Sequence, residues 1–216
     1  MAELSDVEAP AWPLIQAEIA ASERPVSVFP VARRAGEICL EQLQVTTRSA
    51  LGALALNCGG LLVDRGWLRI LGGGAPGLPS LAAVNGIDDS STPRPGFMVV
   101  AIDVLGGRFA INGGALPGDP GKVSYFAPDS LTWEPLDLGH GALVSWALSD
   151  EVDTFYETAR WSTWEDDIDE VRLDQAIQSY PPPFTKEGQP PNPVTRRTVG
   201  WTEASEFLQS AAAQLG

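Results

Sequence analysis

The sequence predicts an α+β fold: an antiparallel β-meander packed against helices, with a C-terminal helical extension. Three observations predict it. Between residues 96 and 148, short apolar runs alternate with glycine-rich punctuation, as in GFMVVAIDVLGG, RFAINGGALPGDPG and KVSYFAPDS. Such runs are too short for ordinary helices and suit strands joined by tight turns. Beyond residue 148 the apolar spacing changes to the three- and four-residue steps of helices.

Taken in order, residues 12–21 read as a helix with Trp12, Ile15 and Ile19 on one stripe. Residues 26–29, between Pro25 and Pro30, are extended, and 37–43 form a second helix through Ile38, Leu40 and Leu43. A polar break follows at Thr46, Thr47 and Ser49. The run LGALAL at 51–56 fits a strand and a buried helix equally, because periodicity does not separate them. After a turn at 57–60, residues 61–63 and 67–71 bracket Asp64-Arg65-Gly66 as a hairpin. Residues 78–84 make one or two helical turns, and 88–95 form a linker-like loop.

The meander itself has about four strands. Residues 97–102 are apolar throughout and β-branched at Val99, Val100 and Ile102, as in a strand buried on both faces. The reversal at Leu105-Gly106-Gly107 uses the positive φ open to glycine. In 108–112, Phe109 and Ile111 share a face; in 122–127, Val123, Tyr125 and Ala127 do. Pro135 makes 131–136 an edge strand, since proline donates nothing to a ladder. A helix at 140–148 closes the unit.

Ser149 is then the expected N-cap of a helix on Val152, Phe155, Tyr156 and Ala159, followed by another on Trp164, Ile168 and Val171. Pro181-Pro182-Pro183 is a stop, 185–194 a loop, and Thr202 the cap of a last helix with Phe207, Leu208 and Ala211 inside. The expected organisation is a single α+β domain over 1–216, its core at about 37–160 and an acidic, proline-rich extension at about 161–216.

Composition narrows function. An apolar content of 44% with seven tryptophans belongs to a folded chain, and the formal charge is −14. That charge disfavours nucleic acid and anionic lipid, both of which require cationic footprints. No run approaches a membrane span, and the acidic start MAELSDVEAPAW does not read as a secretory signal. Cys39 and Cys58 could form one disulfide, but two buried thiols in a reducing cytoplasm is the favoured reading.

Reaction chemistry is not spelled out. His140, the sole histidine, reads as a surface or helix-start residue. No nucleophile elbow, phosphate loop or metal spacing occurs, so no catalytic set, cofactor or metal is expected. The paired glycines at 106–107 and 113–114 read as hairpin turns, not as a phosphate cradle. Asp103, Asp129 and Glu134 stand near strand ends, where a carboxylate pair for hydrolysis could form. Residues 149–174 carry ten acids against two arginines, net −8. The plain reading is the solvated face of two helices. With Trp161 and Trp164 beside Glu165, Asp166 and Asp167, the same stretch is a candidate docking surface for a basic protein partner.

The strings QVTTRSALGALALNCGGLLVDRGWLRILGGG, IDVLGGRFAINGG, YFAPDSLTWEPL and FYETARWSTW resemble an uncharacterised bacterial family known only as a domain of unknown function. The order of elements more distantly resembles the SUKH (Smi/Knr-like) immunity proteins: a helical lead, a Gly59-Gly60 turn, a meander and a closing helix. That second resemblance implies binding of a protein partner, often a toxin, with no catalytic residues to carry over. The expectation is therefore a cytoplasmic protein-binding module. A carboxylate-based hydrolase and a structural or oligomerising protein are the alternatives, and the oligomeric state is open.

Overall fold

The computed structural model describes residues 2–89, 91, 93, 95–189 and 192–215. The expected loop at 88–95 lies partly outside them. Helices α1 (Ala2–Ser5) and α2 (Trp12–Ala21) lead to strand β1 (Val26–Phe29), then α3 (Arg33–Leu43) and α4 (Ala50–Asn57). The ambiguous run at 51–56 is thus helical. Ser49 Oγ caps it by accepting from the Gly52 N–H at 3.1 Å. Leu51 to Ala55 are all buried, so no polar face existed to reveal a period.

Strands β2 (Gly60–Val63) and β3 (Leu68–Leu71) flank a 3₁₀ turn at Asp64–Gly66. After α5 (Leu81–Val84) come β4 (Phe97–Asp103), β5 (Arg108–Asn112), β6 (Val123–Phe126) and β7 (Trp133–Pro135). All seven strands form one antiparallel sheet in chain order, with β1 and β7 at its edges. The expected four-strand meander is β4 to β7, extended by three strands that the first hairpin and β1 supply. Helix α6 (His140–Ala147) closes it, followed by α7 (Glu151–Tyr156) and α8 (Trp164–Asp169). One face of the sheet packs on helices through Phe109, whose ring lies 5.8 Å from Trp146 of α6 and 6.0 Å from Phe155 of α7.

The C-terminal extension ends in the helix expected, and a strand hairpin that the sequence did not signal precedes it. Gln175–Tyr180 (β8) and Thr195–Gly200 (β9) form a separate two-stranded hairpin around the proline loop, and α9 (Trp201–Leu215) follows. Polar residues in both strands hid their alternation, because only Ala176, Ile177 and Val199 are buried. Arg69 in the middle of β3 anchors this hairpin. It donates to the carbonyls of Leu173 at 2.8 Å and Gln175 at 2.7 Å. Helix α9 buries Ala204, Ser205 and Leu208, while Phe207 is 38% exposed. The inner face is therefore rotated from the one expected: Ala204 and Leu208 close over Gly106, and Phe207 turns to the ring of Phe184 at 5.9 Å. Asp150 directly precedes α7 and makes no side-chain cap; the capping bond expected of Ser149 is present one position earlier, its hydroxyl accepting from the Glu151 N–H at 3.3 Å and donating to the Trp146 carbonyl at 2.8 Å.

Both cysteines are buried and free, and burial pushes the Cys58 thiol up to about 12. His140 does start α6, but it is buried, and neither ring nitrogen has a partner. Burial pulls its pKa down to about 4. The unfolded chain binds a proton near 6.5 that the folded chain refuses, so stability is lost as pH falls from about 6.5 towards 4. His140→Leu is expected to remove this acid limb, gaining about 2 kcal/mol over the native chain at pH 5 in urea titrations. Equal losses on acidification in both proteins would contradict it.

Candidate functional site

Two buried polar clusters adjoin a concavity between the sheet and the C-terminal unit. The first lies where β4 turns into β5. Asp103, wholly buried, ends β4, and its Oδ1 accepts from the N–H groups of Leu105 at 2.9 Å and Gly107 at 2.8 Å. Its Oδ2 accepts from the hydroxyls of Tyr125 on β6 at 2.7 Å and Tyr156 on α7 at 3.0 Å. Gly107 is obligatory here, because a Cβ would stand 2.3 Å from that carboxylate and 2.4 Å from Tyr125 Oη. Burial first, then the adjoining carboxylate, hold both phenols well above their ordinary value. They are fixed donors, not acids or bases near neutral pH.

The second cluster is an ion-pair network at the β2–β3 turn. Asp64 and Arg65 take positive φ there, at 50° and 60°. This turns the Asp64 carboxylate inward, where Oδ2 accepts from both Arg24 and Arg160. Asp153 on α7 joins the two arginines from outside, at 2.8 Å from Arg24 and 2.6 Å from Arg160. The Arg160 guanidinium lies over the rings of Trp164 at 4.2 Å and Trp67 at 5.1 Å. Trp67 is buried and meets Tyr156, Trp161 and Trp164 at 5.3–5.6 Å between centroids. Each such contact adds about 0.5–1.5 kcal/mol beyond area burial.

Between these clusters and the β8–β9/α9 unit opens a cleft of about 710 Å3. Leu105, Tyr125, Phe155 and Tyr156 line it from the sheet side, and Ile177, Phe207 and Leu208 from the C-terminal unit. Asp129 and Glu134 line it as exposed carboxylates beside β6 and β7. Glu134 accepts from the Ser130 hydroxyl at 2.8 Å. Arg160, Trp161 and Arg196 line it as well, with the Arg196 guanidinium 4.0 Å from the Trp161 ring. The cleft thus combines an apolar interior with charges of both signs, an arrangement suited to holding an amphipathic ligand in one orientation.

The sequence-derived candidates fall into different places. Asp129 and Glu134 share the cleft, whereas Asp103 lies behind Tyr125 and does not line it. Trp161 and Trp164 are half-buried against Trp67, and among the described residues no tryptophan is exposed. Glu165, Asp166 and Asp167 are exposed on α8. Asp167 accepts from the Trp161 indole N–H, and Glu165 is 3.7 Å from Arg65. Among the described residues no group of three His, Cys, Asp or Glu side chains could hold a metal ion, and no helix is long and apolar enough to cross a membrane.

Sequence reasoning missed Arg69, Arg160, Arg196 and the tyrosine pair. The detectable signal was GWLRILG, an arginine inside a strand buried on both faces, which requires acceptors from another element.

The chain matches the family described as protein of unknown function DUF2625 over residues 1–204. It is 41% identical to YbfG, an uncharacterised protein of Escherichia coli (strain K12), over 212 residues, 96% of this chain and 94% of that protein. An uncharacterised protein of Haemophilus influenzae is 32% identical over 187 residues, 83% of this chain and 80% of its own. No solved structure matches.

Proposed function

The chain belongs to the DUF2625 family, and from that premise we propose a protein-binding module that takes an extended segment of a basic partner into the cleft. The observation that carries this reading is an apolar interior flanked by the exposed carboxylates Asp129 and Glu134. Exposed acids on α8 add to the anionic field around it. Apolar anchors would supply affinity, and the carboxylates would supply steering and register. Trp161 in the cleft wall and Trp164 of α8 both pack on Trp67 in this account and leave anchoring to the partner's own side chains. The narrower form, an immunity protein that occludes a basic toxin, rests on the SUKH-like order of elements alone.

Selection of displayed random peptides on the full chain tests the reading. Enriched sequences are expected to pair Lys or Arg with an apolar residue. The double variant Asp129→Asn/Glu134→Gln should bind them with an association rate lower by about tenfold and less sensitive to salt, dissociation changing little. Enrichment of acidic peptides, or a double variant that binds as well at low salt, would refute it.

The shared placement of Asp129 and Glu134 also favours a second reading, hydrolysis by a carboxylate pair. Turnover of chromogenic glycosides that the same double variant abolishes would select it over binding.

A further inference from the structure

A second concavity, about 530 Å3, lies on the other face of the sheet from α6 and α7. Arg108 and Phe109 are neighbours on β5, so their side chains leave the sheet in opposite directions. Phe109 faces the helices, and Arg108 lines this second pocket with Phe97, Phe126, Leu131, Trp133 and Ala212. Its guanidinium lies 4.7 Å from the Phe126 ring centroid and 5.4 Å from that of Trp133.

Arg108 is only 8% exposed, yet it makes no ion pair or hydrogen bond among the described residues, and its Nε is buried without a partner. The other buried arginines each hold acceptors through their terminal nitrogens or Nε, although the Nε atoms of Arg24 and Arg160 are unpartnered too. Arg24 and Arg160 hold Asp64 and Asp153, and Arg69 holds three backbone carbonyls. A desolvated guanidinium is costly unless an anion or carbonyls meet it. Two aromatic faces offset only part of that cost. Burial lowers the Arg108 pKa to about 10, which leaves the group cationic at neutral pH.

We propose that this pocket binds a small monocarboxylate with an apolar body, its carboxylate on the Arg108 guanidinium and its body against Trp133 and Phe97. The planar fork matches a carboxylate in two parallel hydrogen bonds. One guanidinium balances one negative charge, and among the described residues no second cation lines the pocket. A phosphate dianion would keep an uncompensated charge among Phe97, Leu131 and Trp133. The volume is within the range of small-molecule sites, roughly 300–1,000 Å3.

The test titrates benzoate and octanoate into the full chain, reading the Trp133 indole resonance and the heat of binding, with benzamide and inorganic phosphate as comparison probes. A saturable shift with a millimolar or tighter Kd is expected for a carboxylate, with benzamide and phosphate weaker by about tenfold or more. Arg108→Met should remove the binding. Ala212→Glu, which tethers a carboxylate in the pocket on α9, should weaken it by about tenfold in a folded protein, while Ala213→Glu on the exposed side leaves it unchanged. The proposal is overturned by benzamide or phosphate binding as tightly as benzoate, by an undiminished Ala212→Glu variant, or by no saturable response to either carboxylate.

Discussion

Asp103→Ala is expected to remove about 3–5 kcal/mol of folding free energy, lowering Tm by about 10 °C or more. The carboxylate is the sole acceptor common to four donors from three elements: the Leu105 and Gly107 amides of the turn, Tyr125 of β6 and Tyr156 of α7. Truncation leaves those donors buried and unanswered, each at a cost of about 1–3 kcal/mol before relaxation. Asp103→Asn is milder. Its amide oxygen keeps the two backbone donors, and its NH₂ can donate to hydroxyls that rotate. The pH dependence separates the variants further. Burial, the dominant influence, raises the Asp103 pKa above 3.8. Between 3.8 and that raised value the folded chain holds a proton the unfolded chain has lost, so native stability falls as pH rises through the window. Asp103→Asn lacks that fall, and its deficit against the native chain should shrink as pH rises. A deficit that grows with pH in urea titrations would contradict the assignment.

Asp64→Ala is the second large effect, also about 3–5 kcal/mol. Arg24 and Arg160, with side chains 7% and 10% exposed, would keep only acids that face solvent: Asp153 for both, and for Arg24 also Asp150 at 3.8 Å. Alanine would also inherit a backbone φ of 50°, which adds about 1 kcal/mol. The consequence extends to the cleft. Arg160 freed from Asp64 no longer holds its place over Trp164 and Trp67, so amides of α8 should lose hydrogen-exchange protection. Arg65→Ala is the control. Its pairs with Glu165 and Asp169 are exposed, and its loss should stay below about 1 kcal/mol. Similar losses in the two variants would show that the Asp64 network carries no special weight.

The meander was legible because its strands are apolar and its corners glycine-rich. FMVVAI, the turn at Gly106-Gly107 and the proline-marked edge at Pro135 each occupy the place expected. The hairpin β8–β9 was not, because it is tied to the sheet by distant positions, the Arg69 guanidinium and the Val104 carbonyl that accepts from the Ile177 N–H at 2.7 Å, and little of its own alternation is apolar. The acidic window was legible as charge, but not as partnership. Sequence does not reveal that Asp153 belongs to a buried network while Asp166 stands in solvent. The indoles of Trp161 and Trp164 looked like anchors for a partner, and Trp67 from the first hairpin holds them half-buried. Asp103, read as one of several strand-end acids, is set apart only by two tyrosines that converge on it from distant positions.

The cleft as a docking site is tested most directly by hydrogen exchange on the full chain, free and with the best peptide from the selection. The account predicts new protection at Leu105, Phe155, Ile177 and the middle of α9 around Leu208, declining with added salt as the complex weakens. Protection confined to the β1 edge or to α2, with the cleft residues unchanged, would contradict it.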